Sequence, residues 1–510
     1  MQLLDLIVLG AYLGAVVALG FRFSRRQRSI QDYFLTGKRV PWWALLGSIV
    51  ATETSTVTFI SVPGYAFGGD LTFLQLALGY AAGKVVVAAV LIPGFFRGDF
   101  LTAYQSLAIR FGGVVGRLTA SIFLTTRALS DGFRLFATGL VLAAVLETLP
   151  AAATTADRLM PGLDQSVVLL VGAVAVIGAT TLAYTLLGGM SAVIWTDVAQ
   201  LVVYVSGAGV AMLILLNEIP GGWYEAFTLA QSAGKLTVFD FATDATRSYT
   251  FWSGLVGGMF LTAGTHGTDQ MFVQRYLCSG SPKEASRALV WSGVVVFVQF
   301  AVFLVIGLLL WVYYTAYAPN GLTAVMVEGV VQTDRVLPMF MMTHLPTGVR
   351  GLVVAAIVAA AMSTLSSSLN SSAASTVGDF YMPLTQQARS PRHYLQVSRW
   401  ATVVWSLIQL VVAVLAIELS SRVVDEVLGI QSFTGGLMLG VFLLALTSVR
   451  RPVAPITGIV AGAGVLAAIR LFTPVSWQWY VLIGTLTTFG VAWLVGRLPS
   501  SSDRHPGSGS

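Results

Sequence analysis

The sequence predicts an all-α membrane protein of about 13 transmembrane helices arranged as an inverted repeat, and three observations carry that expectation. Of its 510 residues, 56% are hydrophobic and only 10% are charged, too few polar groups to clothe a water-soluble protein of this size. Apolar stretches of about 18 or more residues, enough to cross a hydrocarbon core of ~30 Å, recur from end to end. Two of these stretches, second and seventh in order, have polar or glycine-rich centres and lie five spans apart, the pattern of helices interrupted at the same place in each half.

In order, the stretches run 3–22, 41–67, 71–96, 117–147, 165–187, 191–216, 250–277, 288–316, 350–381, 398–418, 425–447, 453–472 and 478–496. The first lacks the basic leader and small-residue cleavage site of a signal peptide and is followed by Arg22, Arg25, Arg26 and Arg28, so it is expected to stay as a helix. With the amino terminus outside and the carboxyl terminus inside, the inner loops carry 19 of the 29 Lys and Arg residues and the outer segments 7, which is the orientation that basic loops favour. The net charge of +6 is then a topology signal for a multi-pass protein of the plasma (inner) membrane, with the lipid bilayer as solvent. No basic run interleaved with aromatics suggests nucleic acid, and no obligatory protein partner is indicated.

The hydrophilic stretches are too short for a soluble domain. We expect an N-terminal extra helix with its inner loop over 1–40, a first five-helix repeat over 41–216, an outer loop over 217–249 and a second repeat over 250–447. Two further helices over 448–497 and a disordered inner tail over 498–510 complete the division. The lone Cys278 excludes an internal disulfide and reads as a spectator at a helix end.

The two unusual spans are Ser48 to Gly69 and Gly254 to Tyr276. Facing lipid as continuous helices they would lose several kcal/mol for each unsatisfied polar group, so they are expected inside the bundle, broken around a cavity. The plainer alternative is a Gly or Pro kink in an ordinary span. Glu53, His266 and Asp269 sit in the broken centres, where they bind solute, pass a proton, or merely cap half-helices.

The ninth span changes abruptly from GLVVAAIVAAAM to STLSSSLNSSAAST. Ser363, Ser366, Ser367 and Asn370 fall at i, i+3, i+4 and i+7, which gathers their oxygens on one helical face. Hydroxyls together with unpaired carbonyls beside a helix break suit a hard cation such as sodium; the alternative is that small residues let helices approach closely. Asp197 is a carboxylate within a span and has no basic residue within a helical turn, so a sodium ion that neutralises it is expected, the alternative being a cap on its own helix. Arg127 and Arg134 flank Asp131 at four and three positions, a spacing for ion pairs on one helix.

On these residues the sequence resembles the sodium:solute symporter family, whose fold, that of the leucine transporter, is two inverted five-helix repeats. The likeness covers nearly the whole chain and rests on TLLGGMSAVIWTDVAQ (Thr185 to Gln200), TDQMFVQRYLCSGSPKEASRA (Thr268 to Ala288), the serine-rich helix, and the Ser-Gly-Pro pattern of the first broken span. The resemblance implies a main sodium site at Ala51, Thr54, Ala360, Ser363 and Thr364. It also implies a second sodium, in some members, between Asp197 and Ser363, Ser366 and Ser367. Solute contacts carry over to Glu53, Ser55, Thr58, Gln75 and Asp269, with Arg127 matching an arginine that members carrying sialate use for the carboxylate.

The expected function is therefore sodium-coupled symport of a small organic solute by alternating access, the solute being a sugar, a carboxylate, sialate-like or amino-acid-like. Proton coupling and an ion-gated channel or sensor on the same fold are the alternatives. An enzyme is not expected, since the four histidines at 266, 344, 393 and 505 form no HExxH pattern, and a nucleotide-driven pump would need a GxxxxGK[ST] loop that the chain lacks.

Overall fold

The computed structural model describes residues 2–24, 27, 29–147, 150–327, 329–386, 388–418 and 423–498. Except for Leu498, the expected tail lies outside the described residues. Among those described, the chain is helical almost throughout, and the strands are a hairpin pairing Met326–Val327 with Val330–Val331.

The principal helices are α1 (Leu3–Ser24), α2 (Trp42–Glu53), α3 (Thr56–Gly68), α4 (Leu74–Val90), α5 (Gly113–Glu147) and α6 (Gln165–Glu218). They continue with α7 (Gly258–Thr268), α8 (Gln270–Leu277), α9 (Pro282–Val312), α10 (Val349–Ser375), α11 (Pro391–Leu415), α12 (Val423–Leu444), α13 (Val453–Phe472) and α14 (Tyr480–Arg497). Each predicted apolar stretch falls on helix. Among the described residues eight helices are by themselves long and apolar enough to span a membrane, or nine when α2 and α3 count as one bent span.

The difference from thirteen has physical causes. Two predicted spans run together as the 54-residue α6, bent at Gly189, whose φ of 54° and ψ of −153° belong to glycine alone. A Cβ at Gly189 would also lie 2.5 Å from the Tyr33 carbonyl. The third span ends early, α4 giving way to the short helix Ile92–Phe95, the seventh is divided into α7 and α8, and the eleventh presents a shorter apolar helix over Gly429–Leu444.

Both breaks fall where the sequence placed them. Between α2 and α3 the axis turns by 58°, with Thr54 and Ser55 extended, and the Ser55 hydroxyl accepts a hydrogen bond from the Thr58 amide at the new N-terminus. Between α7 and α8 Asp269 is extended and its carboxylate caps the Met271 amide. Burial ranks the elements: α10 is buried along almost its whole length, whereas most of α1 is exposed or half-buried. The serine-rich helix is thus the axis of the bundle, and α1 is a peripheral, lipid-facing addition.

Candidate functional site

At the first break, α2 and α3 lie against α10. The Thr364 hydroxyl is 3.2 Å from the Thr52 carbonyl and 3.4 Å from that of Ala360, and the Thr56 hydroxyl donates to the Ile357 carbonyl at 3.0 Å. Thr54, Ala51, Ala360, Ser363 and Thr364 are all buried. Of the residues expected to hold the main ion, Thr364 and Ala360 meet at the first break beside the Thr52 carbonyl, while the Thr54 hydroxyl turns to the Val50 carbonyl and to Gln299, and Ser363 to Asp197. Among the described residues no three His, Cys, Asp or Glu side chains gather as a metal site, so a hard cation here would be met by neutral oxygens.

Asp197 of α6 is 0% exposed and fully engaged. It accepts from Ser48 at 2.5 Å, from Ser363 at 2.7 Å and from Arg275 of α8 at 2.8 Å. Arg275, equally buried, also donates to Ser48, Thr52, Ser367 and the Met271 carbonyl. The sodium ion expected to neutralise Asp197 is replaced here by Arg275, an arginine 78 positions away whose guanidinium is brought in by α8, which spacing along α6 could not show. Ser366 and Ser367 both donate to the Ser363 carbonyl of their own helix. In this arrangement the oxygens expected to hold a second sodium serve the Arg275 guanidinium and the helix backbone.

Beside the break opens a cavity of about 310 Å³. Glu53, Ser55 and Thr58 of the first broken span line it, with Tyr80 of α4, Thr262, Thr265 and His266 of α7, Arg134 of α5 and Gln431 of α12. Packed rings form part of its lining: Tyr65 and Tyr249 have centroids 4.9 Å apart, Phe73 and Tyr249 5.0 Å, and Phe73 and Phe300 5.5 Å. Apolar rings with a few convergent polar groups are what a small-solute site requires.

Three expected solute residues are placed elsewhere. Gln75 is fully buried as a strut, its amide donating to the Thr72 and Tyr249 carbonyls while its oxygen accepts from the Asp240 amide. Arg127 is ion-paired to Asp269 at 2.7 Å and to Asp131 at 3.4 Å, and together with Asp269 lines a narrow cleft that adjoins the main cavity at Thr265 and Gln431. The arginine that lines the main cavity is Arg134, about two turns further along α5, held by Asp131 Oδ1 at 3.2 Å and by the Gln431 amide oxygen at 3.2 Å. Sequence spacing revealed the Arg127, Asp131, Arg134 triplet but not which arginine faced the opening, because that depends on Asp269 arriving from another helix. Lys84, paired with Glu53 at 2.5 Å, carried no sequence signal beyond being a lysine inside a span.

The sodium:solute symporter family model matches residues 33–452. The sodium/sialic acid symporter NanT of Aliivibrio fischeri is 32% identical over 505 residues, covering 97% of this chain and 93% of its own length. The sodium/sialic acid symporter SiaT of Proteus mirabilis is 31% identical over 500 residues, covering 94% and 92%. A solved structure of a Na+-coupled sialic acid symporter, substrate-bound and outward-open with a novel Na+ site, superposes with a TM-score of 0.84 at 29% identity and 98% coverage of both chains.

Proposed function

The chain belongs to the sodium:solute symporter family, and we propose that the solute it couples to sodium is a sialate-like sugar acid. It is a multi-pass membrane transporter of the leucine-transporter fold, a Na+-coupled symporter and not an enzyme. The observation that carries the solute reading is Arg134, the one arginine among the described residues lining the main cavity. A guanidinium offers a planar fork of donors matched to a carboxylate, and the Ser, Thr and Tyr hydroxyls around it suit a polyhydroxylated body.

For the ion, the reading places the main sodium between the carbonyls of Ala51, Thr54 and Ala360 and the hydroxyls of Ser363 and Thr364. The donor chemistry fits: hydroxyls and carbonyls converge where two helices meet beside a break. Ser363 must turn its hydroxyl from Asp197 toward the break, leaving Asp197 neutralised by Arg275. One sodium is then bound without moving Arg275, and a second at Asp197, Ser366 and Ser367 requires the guanidinium to withdraw.

In the cycle we envisage, sodium joins the first broken helix to α10 and so completes the cavity wall at Glu53 and Ser55, after which solute binds. A ligand shifts the conformational equilibrium only by its differential affinity, so sodium must favour the solute-accepting state. The test is uptake of labelled sialic acid into proteoliposomes under an imposed sodium gradient. Uptake that needs sodium and falls at least tenfold in affinity with Arg134→Gln supports the reading, whereas sodium-independent uptake or an unchanged KM in that variant overturns it.

A further inference from the structure

On one wall of the main cavity Glu53, Lys84 and His266 form a cluster that neither ion binding nor anchoring of a carboxylate employs. Lys84, wholly buried, donates to Glu53 Oε2 at 2.5 Å, and His266 Nε2 stands 3.6 Å from the same oxygen. The imidazole is fixed from its other side, with Nδ1 3.2 Å from the Tyr276 hydroxyl and the ring centred 4.1 Å from Phe272. Both partners crowd Oε2. Among the described residues no hydrogen-bond donor reaches Oε1, and the Glu53 side chain keeps 12% exposure, on the cavity.

A carboxylate oxygen is an acceptor only, so the cavity-facing carboxylate of Glu53 is matched by a donor on the solute. Its charge, however, is already compensated by Lys84. A solute ammonium would bring a second positive charge to a balanced pair, whereas a hydroxyl or amide N–H satisfies the open oxygen without disturbing that balance.

Resting on the sodium-coupled sugar-acid reading, we propose that Glu53 is a specificity-determining residue whose Oε1 accepts a hydrogen bond from a neutral donor of the solute, a hydroxyl or an amide N–H. Lys84 is the positioning residue that holds the carboxylate in place. The cavity thereby reads both ends of its solute, with Arg134 meeting the anionic group and Glu53 a donor on the body. Acids that carry neutral donors are favoured over simple carboxylates and over aminated analogues.

The test is sodium-driven uptake of sialic acid into proteoliposomes, and its inhibition by propionate, a carboxylate without hydroxyl or amide. The wild type is compared with Glu53→Met/Lys84→Met and with Glu53→Gln/Lys84→Met. Removing both charges together avoids stranding one in the interior. In the Met pair the KM for sialic acid rises about tenfold or more, the scale of one hydrogen bond to a charged group, while half-inhibition by propionate and the half-saturating sodium concentration stay unchanged. The Gln variant, which keeps an acceptor oxygen, recovers most of the loss. If the Met pair does not fold, Glu53→Asp, which retains the ion pair but withdraws the oxygen by one methylene, carries the same expectation.

Equal weakening toward both acids, or a change confined to sodium affinity, overturns the proposal, since Glu53 would then serve the fold or the ion. An unchanged sialic acid KM in a folded variant overturns it alone. A wild type that takes up no sialic acid under a sodium gradient removes the sugar-acid reading and this proposal with it.

Discussion

At the scale of single residues, the buried Asp197–Arg275 pair makes the sharpest demand. Both side chains are 0% exposed, and Arg275 also satisfies Ser48, Thr52 and Ser367. Removing one member leaves the other as an uncompensated buried charge, so Arg275→Met is expected to destabilise the protein by about 3–5 kcal/mol, read as the loss of midpoint in thermal unfolding of the purified protein. The double variant Asp197→Asn/Arg275→Met should recover most of that loss. At the proposed main sodium site, Ser363→Ala with Thr364→Ala would delete two of the five proposed ligands and should raise the half-saturating sodium concentration at least tenfold, a change of about 1.4 kcal/mol, with the solute KM at saturating sodium little altered. Sodium dependence that survives the double substitution unchanged rules the site out.

At the scale of elements, the two breaks and the bend of α6 decide how the helices meet. The serine-rich composition announced an unusual face on α10, and the structure divides that face by neighbour. Ser363 and Ser367 meet Asp197 and Arg275, Asn370 accepts from Gln274, and Ser368 accepts from Gln409. A run of hydroxyls is legible in one dimension; its allocation among three neighbouring helices is not. Gly189 combines a backbone conformation closed to other residues with a close approach to Tyr33. Gly189→Ala should therefore cost at least about 1–2 kcal/mol from the left-handed φ alone, again measured as thermal stability, whereas Gly10→Ala on the lipid-facing α1, where an added Cβ meets nothing within 4 Å, should be close to neutral.

The far end of α3 is held from outside its own helix. Lys235, in the loop after α6, donates to the carbonyls of Ala66, Phe67 and Gly69 and lies 4.9 Å from the Trp311 ring centre. A cation at a helix C-terminus satisfies orphan carbonyls and the negative end of the helix dipole together. This clamp was invisible in the sequence, because the loop and the helix it secures are separated by more than 160 positions.

At the scale of the whole molecule, the proposed ion and solute sites share the first broken helix, so their occupancies are expected to be linked. Glu53 lines the solute cavity between Thr52, whose carbonyl meets Thr364, and Thr54. Linkage requires that whatever sodium adds to solute affinity, solute adds to sodium affinity. Sialic acid should accordingly raise the thermal midpoint more in sodium than in potassium buffer, and the increment should shrink in the Ser363→Ala/Thr364→Ala variant. Equal stabilisation in both cations would show that the two sites do not communicate.

By itself the sequence determined the solvent, the helical class, the two interrupted spans and the family, because hydropathy, helix breakers and hydroxyl spacing are local properties that one chain segment expresses without its neighbours. Only the tertiary structure decided which charges meet. Arg275 went to Asp197, Lys84 to Glu53 and Asp269 to Arg127, which left Arg134 to face the cavity. In a dry interior each buried charge must find a partner in space, and that choice depends on how helices far apart in sequence pack, which no local spacing records.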